Sequence, residues 1–440
     1  MEEENQVKKY SIHIGLFLIT LFTTTAAGQE WMGLAGLSWW DGFLHGFEYS
    51  LPFLGILTVH EFGHFITARK YGAKVSLPYF IPFYIPGLGT IGTFGAFIRI
   101  LSAHKSRKEV FDIGIAGPLA GFVAAMILLF YGFTHLPQPG YIYKVHESYQ
   151  QYGPDYAKKV YTYQFARDQD SIVFYNAKKQ FEDQQDADSL AFLAQQKSQG
   201  NNKPVVFNKK KFKDGESFKA SPLYTEVMVG NNLLFMFFEK YVVDDPKLVP
   251  NKYELFHYPL IFAGFLVLFF TALNLLPIGQ LDGGHIAYGL FGARNHKLIS
   301  MSVFVAMVYL GGLGLLRNNM FANVFNSVMD LLLFAPMYVY LLFMIFSRFT
   351  GDQLTNLMVA VCVFAAQYFT EFLFPDFHGI SLIYVVFSLL IGRMTGLDHP
   401  EAFDDRPLSL ARKILGWVSL LVFILCFTPF LLDTVFWIKK

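Results

Sequence analysis

The chain has 440 residues, of which 53% are hydrophobic and only 16% are charged, and its net charge is +1. Because a soluble globular domain carries about 25% charged residues, this composition excludes an ordinary soluble protein and predicts one that lies in membrane lipid. The small net charge gives no reason to expect a nucleic-acid partner.

Nine apolar segments have lengths near the roughly 20 residues that a helix needs to cross a bilayer. They lie at residues 10–28, 50–68, 111–135, 257–278, 298–316, 324–346, 354–374, 379–393 and 413–437. We therefore predict an all-α polytopic membrane protein with eight or nine transmembrane helices. Cys362 and Cys426 fall within these segments, so we expect buried free thiols and not a disulfide.

A long polar segment, 137–256, interrupts the apolar ones and is long enough for a small domain. We interpret it as an insert on the extracytoplasmic side. The predicted parts are an amino-terminal span with an outer segment, two halves of a core separated by the insert, and additional carboxy-terminal helices. Their bounds are 1–49, 50–136, 137–256, 257–290 and 291–440.

Lys and Arg residues are unevenly divided between the two sides of the predicted spans. The short segments on one side carry only Arg317, Lys439 and Lys440, whereas all other basic residues between spans lie on the opposite side or in the insert. Cytoplasmic loops carry an excess of Lys and Arg. The amino terminus is therefore predicted to be cytoplasmic.

Residues 60–64 read His-Glu-Phe-Gly-His and lie near the end of the second apolar segment. Residues four apart share one face of a helix, so His60 and His64 can bind one zinc ion with Glu61 beside them. Burying Glu61 in an apolar segment costs roughly 2–3 kcal/mol, which makes an accidental match a poor explanation. A polar cluster satisfied between helices is the alternative.

Residues 77–98 are apolar, but three prolines between 78 and 86 prevent a regular helix. The stretch from Gly92 to Ile100 has a strand-like pattern with several glycines. Irregular backbone at membrane depth requires protein or a water-filled cavity beside it. We therefore predict a re-entrant hairpin near the motif at 60–64.

Residues 274–285 read Asn-Leu-Leu-Pro-Ile-Gly-Gln-Leu-Asp-Gly-Gly-His. The proline and the glycines, including Gly283 and Gly284, are expected to break the helix and turn the Asp282 carboxylate inward. Asp282 is therefore a candidate metal ligand, although it can also cap a glycine turn locally. His285 is either a group that supports the metal ligands or a histidine that faces water.

The two motifs together predict one Zn²⁺ ion per chain. A hydrolytic zinc site needs three protein ligands and one open position, and His60, His64 and Asp282 meet the first requirement. Zinc lowers the pKa of a bound water toward about 7, and Glu61 would take the proton of that water as it attacks a peptide carbonyl. The choice of zinc follows from the nitrogen and oxygen ligands.

These motifs, in this order and on two apolar segments, resemble those of the site-2 protease family of intramembrane zinc metalloproteases. The matching residues are His60, Glu61 and His64 in the first motif and Asn274, Pro277, Asp282 and Gly283 in the second. Residues 116–121, Ala-Gly-Pro-Leu-Ala-Gly, are similar to a run that the family carries on the intervening span. The resemblance extends over residues 50–290.

The resemblance implies a metalloendopeptidase that cuts a peptide bond within or near the transmembrane helix of another membrane protein. It implies that Asn274 holds the substrate or the tetrahedral oxyanion, and an interhelical hydrogen bond is the alternative role. Because the substrate must unwind locally, the hairpin can offer it a strand edge, and we expect Gly92 and Gly95 to bind substrate. We predict a prokaryotic cytoplasmic membrane, with the active site toward the cytoplasm.

Two other functions are compatible with parts of the sequence. A divalent-metal transporter needs ionisable residues along several spans to form a path, whereas this chain gathers them at one depth. A catalytically inactive scaffold that binds membrane helices has no need of Glu61.

Overall fold

The computed structural model describes residues 2–33, 38–103, 105–198, 223–317, 328–374, 377, 379–394 and 396–438. Its helices are α1 Glu2–Trp31, α2 Trp39–Lys70, α3 Arg107–Thr134, α4 Ala157–Val160, α5 Tyr163–Ser198, α6 Leu233–Tyr241, α7 Pro259–Asn274, α8 Asp282–Arg317, α9 Val328–Phe346, α10 Gln353–Leu373, α11 Ile383–Met394 and α12 Leu410–Cys426. Its strands are β1 Tyr79–Phe83, β2 Gly92–Phe97, β3 Leu223–Val229 and β4 Leu432–Ile438.

The described part of the chain is mostly helical, as predicted. Four of its helices are long and apolar enough to cross a membrane, namely Tyr10–Trp31, Arg107–Thr134, Asp282–Leu313 and Gln353–Leu373. Three shorter apolar helices are Pro259–Asn274, Phe334–Phe346 and Ile383–Arg393. Besides the predicted hairpin, in which β1 pairs with β2, the all-α prediction missed one small sheet, in which β3 pairs with β4.

Two of the predicted spans differ from the observed helices for identifiable reasons. The span predicted at 413–437 is wrong in its second half, since α12 ends at Cys426 and β4 begins at Leu432. Pro429 lies between them, and proline cannot continue a helix. The span predicted at 298–316 belongs to α8, which begins earlier, at Asp282, and is interrupted at Gly292, where φ is +78°.

The structure tests only part of the predicted sixth span, and it agrees with only part of the prediction for the two cysteines. Residues 324–327 of the predicted sixth span lie outside the described residues. Both cysteines are free as expected, but only Cys426 is buried, and Cys362 is exposed on α10. The expectation of two buried thiols was wrong because an apolar run does not show which helix face meets protein and which meets lipid.

The chain divides into two compact units. The first comprises Met1–Val145 and Val229–Asp433, and the second comprises His146–Met228 and Thr434–Lys440. The second unit contains most of the polar segment, including α5, while residues 199–222 fall outside the described part. The sequence-based bounds of the insert and of the other four parts stay predictions.

Within the first unit, four helices form the core around the two motifs. α7 is its central element, because nearly all of its side chains from Ile261 to Leu273 are buried. α3 packs against α2, α7 and α8, and α2 also packs against α7. The carboxy-terminal end of α7 and the amino-terminal end of α8 therefore lie beside the motif on α2.

β1 and β2 form the predicted hairpin, an antiparallel pair in which Tyr79 faces Phe97 and Phe83 faces Gly92. A register shift between Ile81 and Pro82 marks a bulge, which suits a proline that has no N–H for the ladder. α1 packs against both strands.

Candidate metal centre

α2 supplies two imidazoles from adjacent turns. His60 and His64 are each only 5% exposed. Their Nε2 atoms lie 3.1 Å apart, and the ring centroids are separated by 4.9 Å. This geometry follows from the four-residue spacing, which places both rings on the same face of one helix.

Asp282 closes the group from the start of α8. Its Oδ2 lies 3.1 Å from His60 Nε2, and its Oδ1 lies 3.2 Å from His64 Nε2. Zinc bonds of about 2.0–2.1 Å in a tetrahedron place the ligand atoms about 3.3 Å from one another. The donor set and its spacing therefore fit a zinc ion, and the three residues form a group that can hold a metal.

The orientation of the His64 ring is set by α3. His64 Nδ1 lies 2.7 Å from the backbone oxygen of Ile113. Because a carbonyl oxygen can only accept, Nδ1 carries the proton and donates it, which leaves the lone pair of Nε2 directed at the metal position.

Glycines on α3 let the two helices approach at this point. A Cβ atom added at Gly117 would lie 2.0 Å from His64 Nε2, and one at Gly121 would lie 3.1 Å from the Cβ of His60. On α2, a Cβ at Gly63 would lie 2.6 Å from the backbone oxygen of Ala116. The run 116–121, which the sequence linked to the site only by resemblance, is thus the packing surface of the metal-binding helix.

The turn before Asp282 depends on three glycines, but only one of them breaks the helix. Gly279 has φ +51° and lies in the turn, whereas Gly283 and Gly284 lie inside the first turn of α8. The prediction that these two break the helix was wrong. A Cβ at Gly283 would lie 2.0 Å from the Leu275 oxygen, and one at Gly284 would lie 2.3 Å from the Gly279 oxygen, so they permit close packing of the turn.

Glu61 lies beside the three potential ligands. It is 3% exposed, and its carboxylate lies close enough to His60, His64, Asp282 and the backbone of Ile98 to interact with them electrostatically. Ile98 directly follows β2. The carboxylate is therefore held between the metal-binding group and the end of the hairpin.

Asn274, the last residue of α7, has its Nδ2 3.5 Å from His60 Nε2. It borders a small, mostly apolar pocket that also contacts His60 and is lined by Phe53, Leu57, Val267 and Phe270. The cavity lies between α2, α3 and α7. The polar amide of Asn274 therefore lies at the edge of an apolar pocket, next to the position that a metal would take.

The two glycines predicted to bind substrate have different surroundings. A Cβ at Gly92 would lie 2.3 Å from the Cα of Thr24, so this glycine packs against α1. Gly95 has φ +107°, and a Cβ there would meet no described atom within 4 Å. The open space lies at Gly95, and both substrate-binding assignments stay predictions.

Several neighbours of the group were not singled out from the sequence. The backbone groups of Ile98 and Ile113 carry no side-chain signal. Gly117 did have a signal, since small residues four apart on an apolar helix are typical of close helix contacts. His285, which is partly exposed, has its Nδ1 2.7 Å from His399 Nε2, and its role in supporting the ligands stays a prediction.

Two buried histidines and a partly exposed aspartate, with a buried glutamate beside them and apolar helices carrying them, form the architecture of a membrane metallopeptidase. The family model described as Peptidase family M50 matches residues 48–316, and the chain belongs to this family. The family predicted from the two motifs is thus confirmed. No solved structure matches the chain.

Curated relatives match shorter segments. The protein named "Probable zinc metalloprotease EGY2, chloroplastic" from Oryza sativa subsp. indica is 40% identical over 85 residues, 19% of this chain and 15% of that protein. Its Arabidopsis thaliana namesake is 38% identical over 85 residues, 19% and 14% of the two chains. "Probable zinc metalloprotease EGY1, chloroplastic" from Oryza sativa subsp. japonica is 44% identical over 78 residues, 17% and 13%. The matches thus span at most 15% of these relatives.

Proposed function

We propose that the protein is an intramembrane zinc metalloprotease, a metalloendopeptidase that hydrolyses a peptide bond within or near the transmembrane helix of a membrane-protein substrate. The convergence of His60, His64 and Asp282 from two apolar helices, with Glu61 buried beside them, carries this proposal. Membership of peptidase family M50 supports it, as do the zinc metalloprotease names of the plant relatives.

In this proposal one zinc ion per chain is held by the two Nε2 atoms and the Asp282 carboxylate. Zinc supplies Lewis acidity that lowers the pKa of water toward about 7. Glu61 takes the proton from the attacking water and returns it to the leaving amide nitrogen. The Glu61 carboxylate is buried close to both histidines and to Asp282, where this proton transfer would take place.

The surroundings suit an apolar, extended substrate. Asn274 donates its amide to the substrate carbonyl, next to a cavity whose lining is mostly Phe, Leu, Ile and Val. The end of β2 lies beside Glu61, so a locally unwound segment can pair along the hairpin and pass the open space at Gly95. Gly92 lies on β2 and packs against α1, and in this way it holds the hairpin along which the substrate pairs.

The membrane arrangement is part of the same proposal. We infer eight or nine spans, a hairpin that enters the membrane from one side, and an extracytoplasmic insert. The charge asymmetry supports a catalytic group that lies toward the cytoplasm. The plant relatives are named as chloroplastic, and for this chain we propose a prokaryotic cytoplasmic membrane.

The decisive experiment compares Glu61→Gln with Asp282→Ala in the full chain reconstituted in liposomes with a model transmembrane substrate. Glu61→Gln should retain zinc and lose about 10³-fold in cleavage rate, because only the base is removed. Asp282→Ala should lose both zinc and cleavage. Glu48→Gln, at an exposed glutamate on the same helix, is the matched control.

Two outcomes contradict the proposal. Undiminished cleavage by Glu61→Gln removes Glu61 as the base, and a wild-type chain without bound zinc removes the metal site. Metal uptake into sealed vesicles by the wild type, without cleavage, would instead favour a transporter.

A further inference from the structure

A segment outside the family core contacts the metal-binding turn. Residues 396–406, here called the strap, follow α11 and lie 80 residues beyond the end of the family match at residue 316. The strap contacts the turn at Gly279, the first turns of α8, and the start of α3.

The first link runs through Ser300. Its Oγ donates a hydrogen bond to the backbone oxygen of Leu397 at 3.0 Å and accepts one from the backbone N–H of Gly279 at 2.9 Å. A Cβ at Gly279 would lie 2.3 Å from the Gly396 oxygen. The strap therefore touches the turn three residues before Asp282.

The second link joins two histidines, and their tautomers can be assigned. His399 Nδ1 lies 2.6 Å from the backbone oxygen of Pro400, which only accepts, so Nδ1 carries the proton of the neutral ring. His399 Nε2 is then an acceptor, and His285 Nδ1, 2.7 Å away, donates to it. His285 lies one turn after Asp282 on α8 and is therefore on the same helix face.

Further contacts hold the strap on both sides of this bond. Tyr288 stacks on His399 with ring centroids 4.3 Å apart and accepts a hydrogen bond from the Ala402 N–H. Asp404 exchanges backbone hydrogen bonds with Lys105 and Arg107 at the start of α3. The strap thus connects α8 to the helix whose glycines pack against His60 and His64.

The two histidines are not a second metal site. Their nitrogens lie 2.7 Å apart, closer than the roughly 3.3 Å between two ligands of one tetrahedral zinc ion. The distance is instead that of a hydrogen bond, which fixes the position of one residue relative to another.

We propose that His399 is a positioning residue for Asp282 and that the strap holds the metal-binding turn in place before metal binds. The hydrogen bond from His285 to His399 fixes the first turn of α8, and Ser300 fixes the turn that precedes it. This inference rests on the proposed function, because Asp282 is taken as a zinc ligand.

The test measures zinc dissociation constants by chelator competition, and amide hydrogen exchange of residues 275–285 in the metal-free full chain. His399→Ala should weaken zinc binding about tenfold, the lower end for groups that support ligands, and should speed exchange in this segment. His399→Gln should restore both, because the Gln side-chain oxygen can accept from His285 in place of Nε2. Phe403→Ala is the control, since Phe403 lies on the strap and is 86% exposed.

Wild-type zinc affinity and exchange in His399→Ala overturn the inference. Equal losses in His399→Ala and His399→Gln also overturn it, because ring packing and not the hydrogen bond would then be responsible. A wild-type chain that binds no zinc contradicts the proposed function, while faster exchange in His399→Ala would still show that the strap holds the turn.

Discussion

The two halves of the candidate metal centre are built in different ways. His60 and His64 lie on one uninterrupted helix, where the helix backbone alone sets their spacing. Asp282 begins a helix after a turn that is held by Ser300, by close glycine contacts and by the strap. The first half is therefore a local feature of the chain, whereas the second half exists only in the folded protein.

α3 is the element that the two halves share. Gly117 and Ile113 contact His64, and a Cβ at Gly114 would lie 2.4 Å from the Cβ of His285. One face of α3 therefore sets the distance between α2 and the first turn of α8.

Replacing Gly117 with alanine should break the first half. The added Cβ would lie 2.0 Å from His64 Nε2, the proposed ligand atom, so α2 and α3 must move apart. We expect zinc affinity to fall about 100-fold, the upper end for supporting groups, together with loss of cleavage. Gly15→Ala on α1, where a Cβ meets no described atom within 4 Å, is the control. An unchanged zinc content would contradict this account.

Replacing Gly283 with alanine should displace the second half. Its Cβ would lie 2.0 Å from the Leu275 oxygen, and we expect zinc affinity to fall about tenfold. Helix propensity favours alanine by about 1 kcal/mol, so a loss cannot come from the helix itself. Gly55→Ala is the control, because a Cβ at Gly55 on α2 lies in open space, and it should leave zinc affinity unchanged. Zinc titrations of both variants check this, and equal affinities would show that the turn tolerates a side chain.

Removing the metal should loosen the halves unequally. Chelation should raise amide exchange several-fold in residues 275–285, because the turn has few helical hydrogen bonds of its own. Residues 55–66 should change by less than about twofold, since their amides are bonded within α2. Exchange measured with and without a chelator makes the comparison within one sample. A larger increase in exchange on α2 than in the turn would contradict this account, because α2 would then depend more on the metal than the turn does.

Removing the Arg412 guanidinium should have the smallest effect. It forms a two-point ion pair with Asp112, with N–O distances of 2.8 and 2.9 Å, and the Tyr71 hydroxyl also donates to Asp112. Partly exposed pairs contribute about 1 kcal/mol, so Arg412→Met should lower the Tm by about 1–2 °C without changing zinc affinity. Arg406→Met, at an exposed arginine of the strap, should leave the Tm unchanged. A changed zinc affinity would mean that α12 supports the first half directly.

Local signals in the sequence were sufficient for several elements. Apolar length predicted the helices, and three prolines followed by glycines predicted the hairpin now seen as β1 and β2. The same reasoning failed for the end of α12 and for Cys362, because hydropathy alone reports neither where a helix stops nor which face it buries. The long polar segment was least informative, since no hydrophobic period marks its elements.

The sequence by itself nominated the residues and the chemistry that we propose for the site. Four-residue spacing in an apolar helix places His60, His64 and Glu61 together, and the motif around Asp282 nominates a third ligand. Only the tertiary structure decided how that carboxylate reaches the imidazoles and which groups hold it there, among them Gly117, Ser300 and His399. The physical reason is that helix geometry is dictated by neighbouring residues, whereas the approach of two helices depends on contacts between residues far apart in the chain.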